Sequence, residues 1–196
     1  MTTPRRIGAE NSETRRRLLD ITERLMLEEG YAAVGVRRVA READVAPALV
    51  LYYFRTLDEL FLAVMRRRAE GEGARQAQAL EADRPLRALW ETSNDPGVAL
   101  ITEFLALANH RKAIAAEIVA HAEMYRKAQI ESLVRAAAED PARVPDVAPE
   151  ALVVLTTAVS RVLVMEEAMG LTYGHAEALA FVEEMLRKFD SPSSPA

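Results

Sequence analysis

Three arginines, Arg37, Arg38 and Arg41, fall within one short segment, VRRVAREA, while Val36, Val39, Ala40 and Ala43 share a separate face at helical spacing. Guanidinium groups presented in this way suit phosphate: they stay charged and offer several donors in a fixed fork. The segment runs into DVAP and then PALVLYYF. Pro47 cannot continue the preceding helix but fits the first turn of the next one. Two short helices around a tight turn are the pattern of a helix-turn-helix, whose second helix enters the major groove of DNA. On that reading Ala46, Pro47, Ala48 and Leu49 lead the reading helix, with Tyr52 and Tyr53 further along it. None of those first four can make a bidentate base contact, which shifts recognition toward phosphates, thymine methyls and DNA shape. Any antiparallel helix pair gives the same periodicity, so the arginines can equally be a solvated face and the tyrosines core aromatics. Arg5 and Arg6 are candidates for a minor-groove arm, spanning about residues 1–11.

Catalytic chemistry finds no footing. The chain has no H-E-x-x-H, no G-x-S-x-G, no phosphate loop and no dinucleotide-binding glycine pattern, so no enzyme activity and no cofactor are expected. His110, His121 and His175 are scattered, and cysteine is absent. Glu117 and His121 stand one helical turn apart, but a pair without further ligands is more often a structural contact, and no metal is expected.

Small-molecule binding is the other chemistry the residues suggest. Long apolar helices with a few polar groups among them form closed, mostly apolar pockets. Ile114, Ile118, His121 and Tyr125 lie along one line of a long helix. Trp90 and Phe104 come from the two helices before it, and Met165 and Met169 from the helix after it. The candidate ligand set is Trp90, Phe104, Ile118, His121, Tyr125, Met165 and Met169, with His121 and Tyr125 as polar contacts. Core filling is the competing role for each. Two further stripes, Leu152, Leu155, Val159, Val162 and Leu179, Val182, Leu186, Phe189, repeat at helical spacing. Paired with a second copy they would build a four-helix bundle, which makes them the candidate dimer interface; an intrachain core is the alternative.

These residues need helices to position them, and the periodicity supplies helices throughout; no strand is expected. The first runs from about Ser12 to Glu29, with Leu18, Leu19, Ile21, Thr22, Leu25 and Met26 as its inward stripe and Gly30 as its stop. After the two short helices, Thr56 caps a fourth from Leu57 to about Arg68, with Leu60, Phe61, Val64 and Met65 buried. The pattern loosens after Gly71 and Gly73. Further helices are expected over 84–91, from Asp95-Pro96 to 107, over 111–138, from Pro149 to about Met169, and over 175–189.

Charge adds direction. Residues 1–70 carry a net charge of +2, all of their cations arginine, and residues 71–196 carry −7. A mildly basic head on an acidic body suits a polyanion at one end only. No stretch reads as a membrane span or a signal peptide, and a cytoplasmic location is expected.

One resemblance draws these strands together. GYAAVGVRRVAREADVAPALVLYYFRTLDELF resembles the N-terminal domain of TetR-family regulators. Gly30-Tyr31, Val39-Ala40, Val45-Ala46-Pro47, Tyr52-Tyr53-Phe54 and Asp58-Glu59-Leu60 follow that family's order and spacing, over roughly residues 14–66. Leu51, Leu57 and Gly35 stand where the family often has Tyr, Lys and Thr or Ser. The resemblance implies an all-α homodimer that represses transcription until a small-molecule effector binds. It implies a DNA-binding domain over residues 1–56, a ligand-binding and dimerisation domain over 57–190, and a disordered tail over 191–196. Two alternatives remain: a helical ligand-binding protein with a degenerate helix-turn-helix, and, with less support, a helical enzyme.

Overall fold

The computed structural model describes residues 13–81, 84–93 and 98–190. All regular structure among them is helical: α1 (Glu13–Glu29), α2 (Val36–Glu42), α3 (Pro47–Tyr53), α4 (Leu57–Leu80), α5 (Pro85–Ser93), α6 (Val98–Ala108), α7 (Lys112–Glu139), α8 (Pro149–Ala168) and α9 (His175–Asp190). Short 3-10 turns at Tyr31–Ala33 and Pro141–Arg143 were not legible as periodic segments. Ser12, Asp95-Pro96, Arg5, Arg6 and the expected disordered tail lie outside the described residues.

The chain divides into two compact units, one of residues 1–70 with 103–118, the other of residues 71–102 with 119–196. In the first, α1 buries the stripe its periodicity announces: Leu18, Leu19, Ile21, Leu25 and Met26 are at most 9% exposed. Thr22 is fully buried there because its hydroxyl donates to the Leu18 carbonyl, 2.8 Å away. The helix stops at Gly30, whose φ of 81° lies in the left-handed region open to glycine. The following Tyr31 N–H donates to the Glu103 carboxylate of α6 at 2.7 Å. Val39 and Ala40 of α2, Val50 and Phe54 at α3, and Leu60, Phe61, Val64 and Met65 of α4 join the buried set, with Phe104, Leu107 and Ile114.

The start of α4 follows its expected chemistry. The Thr56 hydroxyl accepts from the Glu59 N–H, and the Glu59 carboxylate accepts from the Arg55 N–H. Its end does not. The helix was expected to stop near Arg68, yet it continues through Gly71 and Gly73 to Leu80. A glycine costs roughly 1 kcal/mol inside a helix relative to alanine, a penalty too small to break one that is otherwise continuous.

The second unit is built on an apolar cluster of Leu86 and Leu89 from α5, Leu133 from α7, Val153 from α8 and Leu186 from α9. Trp90, Ile130, Leu152, Val182 and Phe189 pack against it. Arg87 clamps Glu183 through two bonds of 3.0 and 3.1 Å, tying α5 to α9. α8 ends at Gly170 (φ 82°), where the Leu171 N–H reaches back to the Glu166 carbonyl, and His175 bonds the Glu166 carboxylate at 2.9 Å across the same corner.

Candidate nucleic-acid interface

The α2–α3 turn is what sets the angle of the reading helix. α2 ends with the Val45 N–H bonded to the Ala40 carbonyl and the Asp44 N–H to the Arg41 carbonyl. This double closure needs a left-handed residue just past the helix, and Asp44 supplies it at φ 53°. Aspartate tolerates that region better than most side chains but worse than glycine. Pro47 then occupies the first turn of α3.

The short α3 is anchored by Val50 and Phe54, which are 0% and 3% exposed. Its opposite side looks outward: Ala46, Pro47 and Ala48 are exposed, and so is Tyr52. Leu49 and Tyr53 are half-buried. The Tyr52 and Tyr53 rings meet edge to face at 5.4 Å, and the Arg15 guanidinium lies 5.2 Å from the centre of the Phe54 ring. The arginine at position 15 carried no sequence signal, because cation–aromatic contacts between distant residues leave no periodicity.

The three arginines of α2 divide. Arg37 and Arg41 are exposed and form no ion pair among the described residues. Arg38 grips both Glu29 oxygens at 2.7 and 3.1 Å and bonds Glu42 at 3.0 Å. Glu42 also accepts from Arg24 at 3.0 Å, so α1 and α2 are laced together through one carboxylate. Hydrogen bonds from Arg24 and then Arg38 hold the Glu42 carboxyl below its ordinary range. Arg38 therefore faces a competitor for phosphate that Arg37 and Arg41 do not. α4 is tied to α1 by Arg67, which bonds Asp20 and Glu23, and to α7 by Arg66, which clamps Glu117 at 2.7 and 2.8 Å. Glu117 is thus engaged by an arginine, and no group of three His, Cys, Asp or Glu able to hold a metal occurs among the described residues.

The candidate ligand residues do not form one site of either unit. Phe104 (2% exposed) and Ile118 belong to the first unit; Trp90, His121, Tyr125, Met165 and Met169 belong to the second. His121 and Tyr125 do meet, with ring centres 6.4 Å apart. Trp90 lies against the apolar cluster of its unit. Met165 and Met169 are 47% and 68% exposed, so in the single chain they stand on an open face rather than in a pocket. Helical spacing told which residues share a helix side but not whether that side meets another helix.

The two candidate interface stripes divide as well. Leu155, Val159, Val162 and Leu179 are exposed by 37–59%. Leu152, Val182 and Phe189 pack on the intrachain cluster, and Leu186 (7% exposed) is part of it. These four pack within the chain, as the intrachain alternative has it, and sequence periodicity cannot distinguish a neighbouring helix of the chain from a partner helix.

Comparison with known proteins agrees with this geometry. Residues 18–64 match the family described as bacterial regulatory proteins, tetR family. A protein from Saccharomonospora viridis, described as a transcriptional regulator and crystallised with choline, superposes with a TM-score of 0.72 at 19% identity, covering 90% of this chain and 95% of that one. A TetR transcription regulator from Haloarcula marismortui gives 0.62 at 19% identity over 90% and 96% of the two chains. A TetR-family regulator from Streptomyces coelicolor gives 0.58 at 23% identity over 92% and 91%. No curated protein matches the chain. Residues 18–64 thus match the module described for the tetR family of bacterial regulatory proteins, and the chain shares the all-helical fold of these solved structures.

Proposed function

We propose that the chain is a homodimeric repressor that holds a palindromic operator through α2 and α3 and releases it when a small apolar or amphipathic molecule binds the helical body. The observation that carries this reading is the outward surface of the first unit, where Arg37, Arg41, Ala46, Pro47, Ala48 and Tyr52 are all exposed. Buried Val50 and Phe54 hold that surface rigid from behind. Arg37 and Arg41 supply phosphate contacts, and small apolar residues at the head of α3 allow close approach to thymine methyls. Assembly is supported by the exposed aliphatic face of α8, where Leu155, Val159 and Val162 meet water in the single chain. A two-fold dimer places two reading helices about 34 Å apart, one turn of DNA. The choline complex of a structural neighbour supports small-molecule binding by this fold, without fixing the ligand's chemistry here.

A second reading rests on the same α3 residues. With no hydrogen-bonding side chain at positions 46–49, the helix-turn-helix can bind DNA without choosing a sequence. Fluorescence anisotropy with the upstream intergenic DNA and a scrambled duplex, each across a salt series, separates the two. The repressor reading requires a preference for the native DNA that persists at high salt. Equal affinities with equal salt slopes favour the second reading.

A further inference from the structure

The helix-turn-helix is suspended between two attachments, its entry before α2 and its exit after α3. At the entry, α1 closes on Gly30 in the left-handed region, and the Gly30 N–H returns to the Met26 carbonyl. The next N–H, that of Tyr31, finds no backbone carbonyl among the described residues. It donates instead to the Glu103 carboxylate of α6, 2.7 Å away and partly buried. A backbone donor left unpaired in such a place costs free energy, and a carboxylate is a strong acceptor for it. Glu103 forms no ion pair among the described residues, so no cation competes there for its oxygens. At the exit, α3 ends at the buried Phe54 and α4 begins at Leu57. Asp58, in the first turn of α4, is bonded by the Arg111 guanidinium, which also stands 5.7 Å from the centre of the buried Phe61 ring.

Glu103 and Arg111 belong to one corner of the chain. α6 ends at Ala108, the His110 and Arg111 N–H groups close back on the Leu107 and Ala108 carbonyls, and α7 starts at Lys112. Leu107 and Ile114 bury the corner from either side, at 1% and 0% exposed. Both residues and both of their targets lie in the first unit. A single corner therefore grips both ends of the helix-turn-helix. The grip matters because α2 and α3 have seven residues each, too few to be stable helices by themselves. A recognition surface works only when its supports hold it close to the productive geometry.

We infer that Glu103 and Arg111 are positioning residues for DNA binding: Glu103 fixes where α2 begins, through the Tyr31 N–H, and Arg111 fixes where α3 hands over to α4, through Asp58. This rests on the DNA-binding reading above.

The test compares the full-length wild type with Glu103→Leu, Glu103→Gln, Arg111→Met and Arg111→Lys. Affinity for the upstream intergenic duplex is measured by fluorescence anisotropy across a salt series, and folding by circular dichroism. Glutamine keeps an acceptor for the Tyr31 N–H and leucine does not. Glu103→Leu and Arg111→Met should each weaken binding about tenfold with the salt slope unchanged, and Glu103→Gln should stay within about threefold of wild type. Arg111→Lys should recover part of what Arg111→Met loses. Hydrogen exchange followed by NMR without DNA should show the Tyr31 amide protected in the wild type and in Glu103→Gln, and unprotected in Glu103→Leu. Affinity within twofold of wild type in the folded leucine and methionine variants overturns the inference. So does a Glu103→Gln as weak as Glu103→Leu, because charge rather than the bond then matters. A salt slope flattened by about one unit in Arg111→Met also overturns it, since the arginine then touches phosphate itself. If Glu103→Leu fails to fold, the wild-type Tyr31 amide and the Arg111 pair decide, and an unprotected wild-type amide overturns the inference. A wild type that binds no duplex defeats the DNA-binding reading and this inference together; wild-type binding with undiminished variants defeats this inference alone.

Discussion

The two units differ most in how much of their apolar helix faces they leave to solvent. In the first, the apolar stripes of α1, α3 and α4 are buried within the chain, and arginines are matched to carboxylates on other helices: Arg38 to Glu29 and Glu42, Arg67 to Asp20 and Glu23, Arg66 to Glu117, Arg111 to Asp58. In the second, α8 leaves Leu155, Val162 and Met165 in water. A self-sufficient unit can present an invariant surface to a rod-like polyanion. A unit with exposed apolar faces has surface left for other molecules, which is where the proposed second copy would sit.

The strongest way to break this comparison sets a core residue of α9 against an open-face residue of α8. Leu186→Ala should cost about 2–5 kcal/mol and lower Tm by many degrees, since Leu186 is 7% exposed in the apolar cluster. Leu155→Glu, at a site 59% exposed, should leave the fold intact and yield monomers by light scattering. A dimer of unchanged affinity in Leu155→Glu would move the interface off the exposed face of α8.

Next in size is the DNA surface. Tyr52→Ala should weaken operator binding by on the order of 1–3 kcal/mol while far-ultraviolet circular dichroism stays the same. Arg37→Ala and Arg41→Ala should each weaken binding to all DNA alike and flatten the salt slope by about one unit. Arg38→Ala should leave the salt slope closer to that of the wild type, because its guanidinium is engaged by Glu29 and Glu42. Equal slopes in all three variants would erase the division among these arginines.

The smallest effect is one of pH. The Glu42 carboxyl titrates below its ordinary value in the folded chain, so its ion pairs contribute stability above the unfolded carboxyl pKa of about 4.3. That contribution is lost as pH falls through the folded value. Glu42→Gln should therefore lower Tm slightly at neutral pH and leave it unchanged at strongly acid pH. A Tm difference that is the same at both pH values would remove Glu42 from the acid response.

Much of the first unit was legible because its helices are marked at their starts, by Thr56 as a cap and Pro47 in a first turn, and are amphipathic against one another; Leu18 to Met26 and Leu60 to Met65 lie where their spacing puts them. The second unit was legible as helices but not as surfaces. Periodicity gave α9 a stripe, and only packing shows that Leu186 meets α5 while Phe181, off the stripe, is 64% exposed. Gln129 carried no sequence signal, since an amide among charged and apolar neighbours reads as a surface residue until its burial is seen. Arg161 was noticed only as an interruption of an apolar run.

The backbone closure after α2 has a consequence for how this protein can change over generations. The reading helix hangs on Asp44, a residue with a side chain in a conformation where glycine is at ease. One substitution, Asp44→Gly, relaxes the turn and removes a negative charge between the two helices. A β-branched replacement such as Asp44→Val strains the turn and swings α3. The position is thus a mutational dial with settings on both sides of its present one. In a selection for operator occupancy across all substitutions, glycine and asparagine should be enriched at this site, and valine and isoleucine depleted.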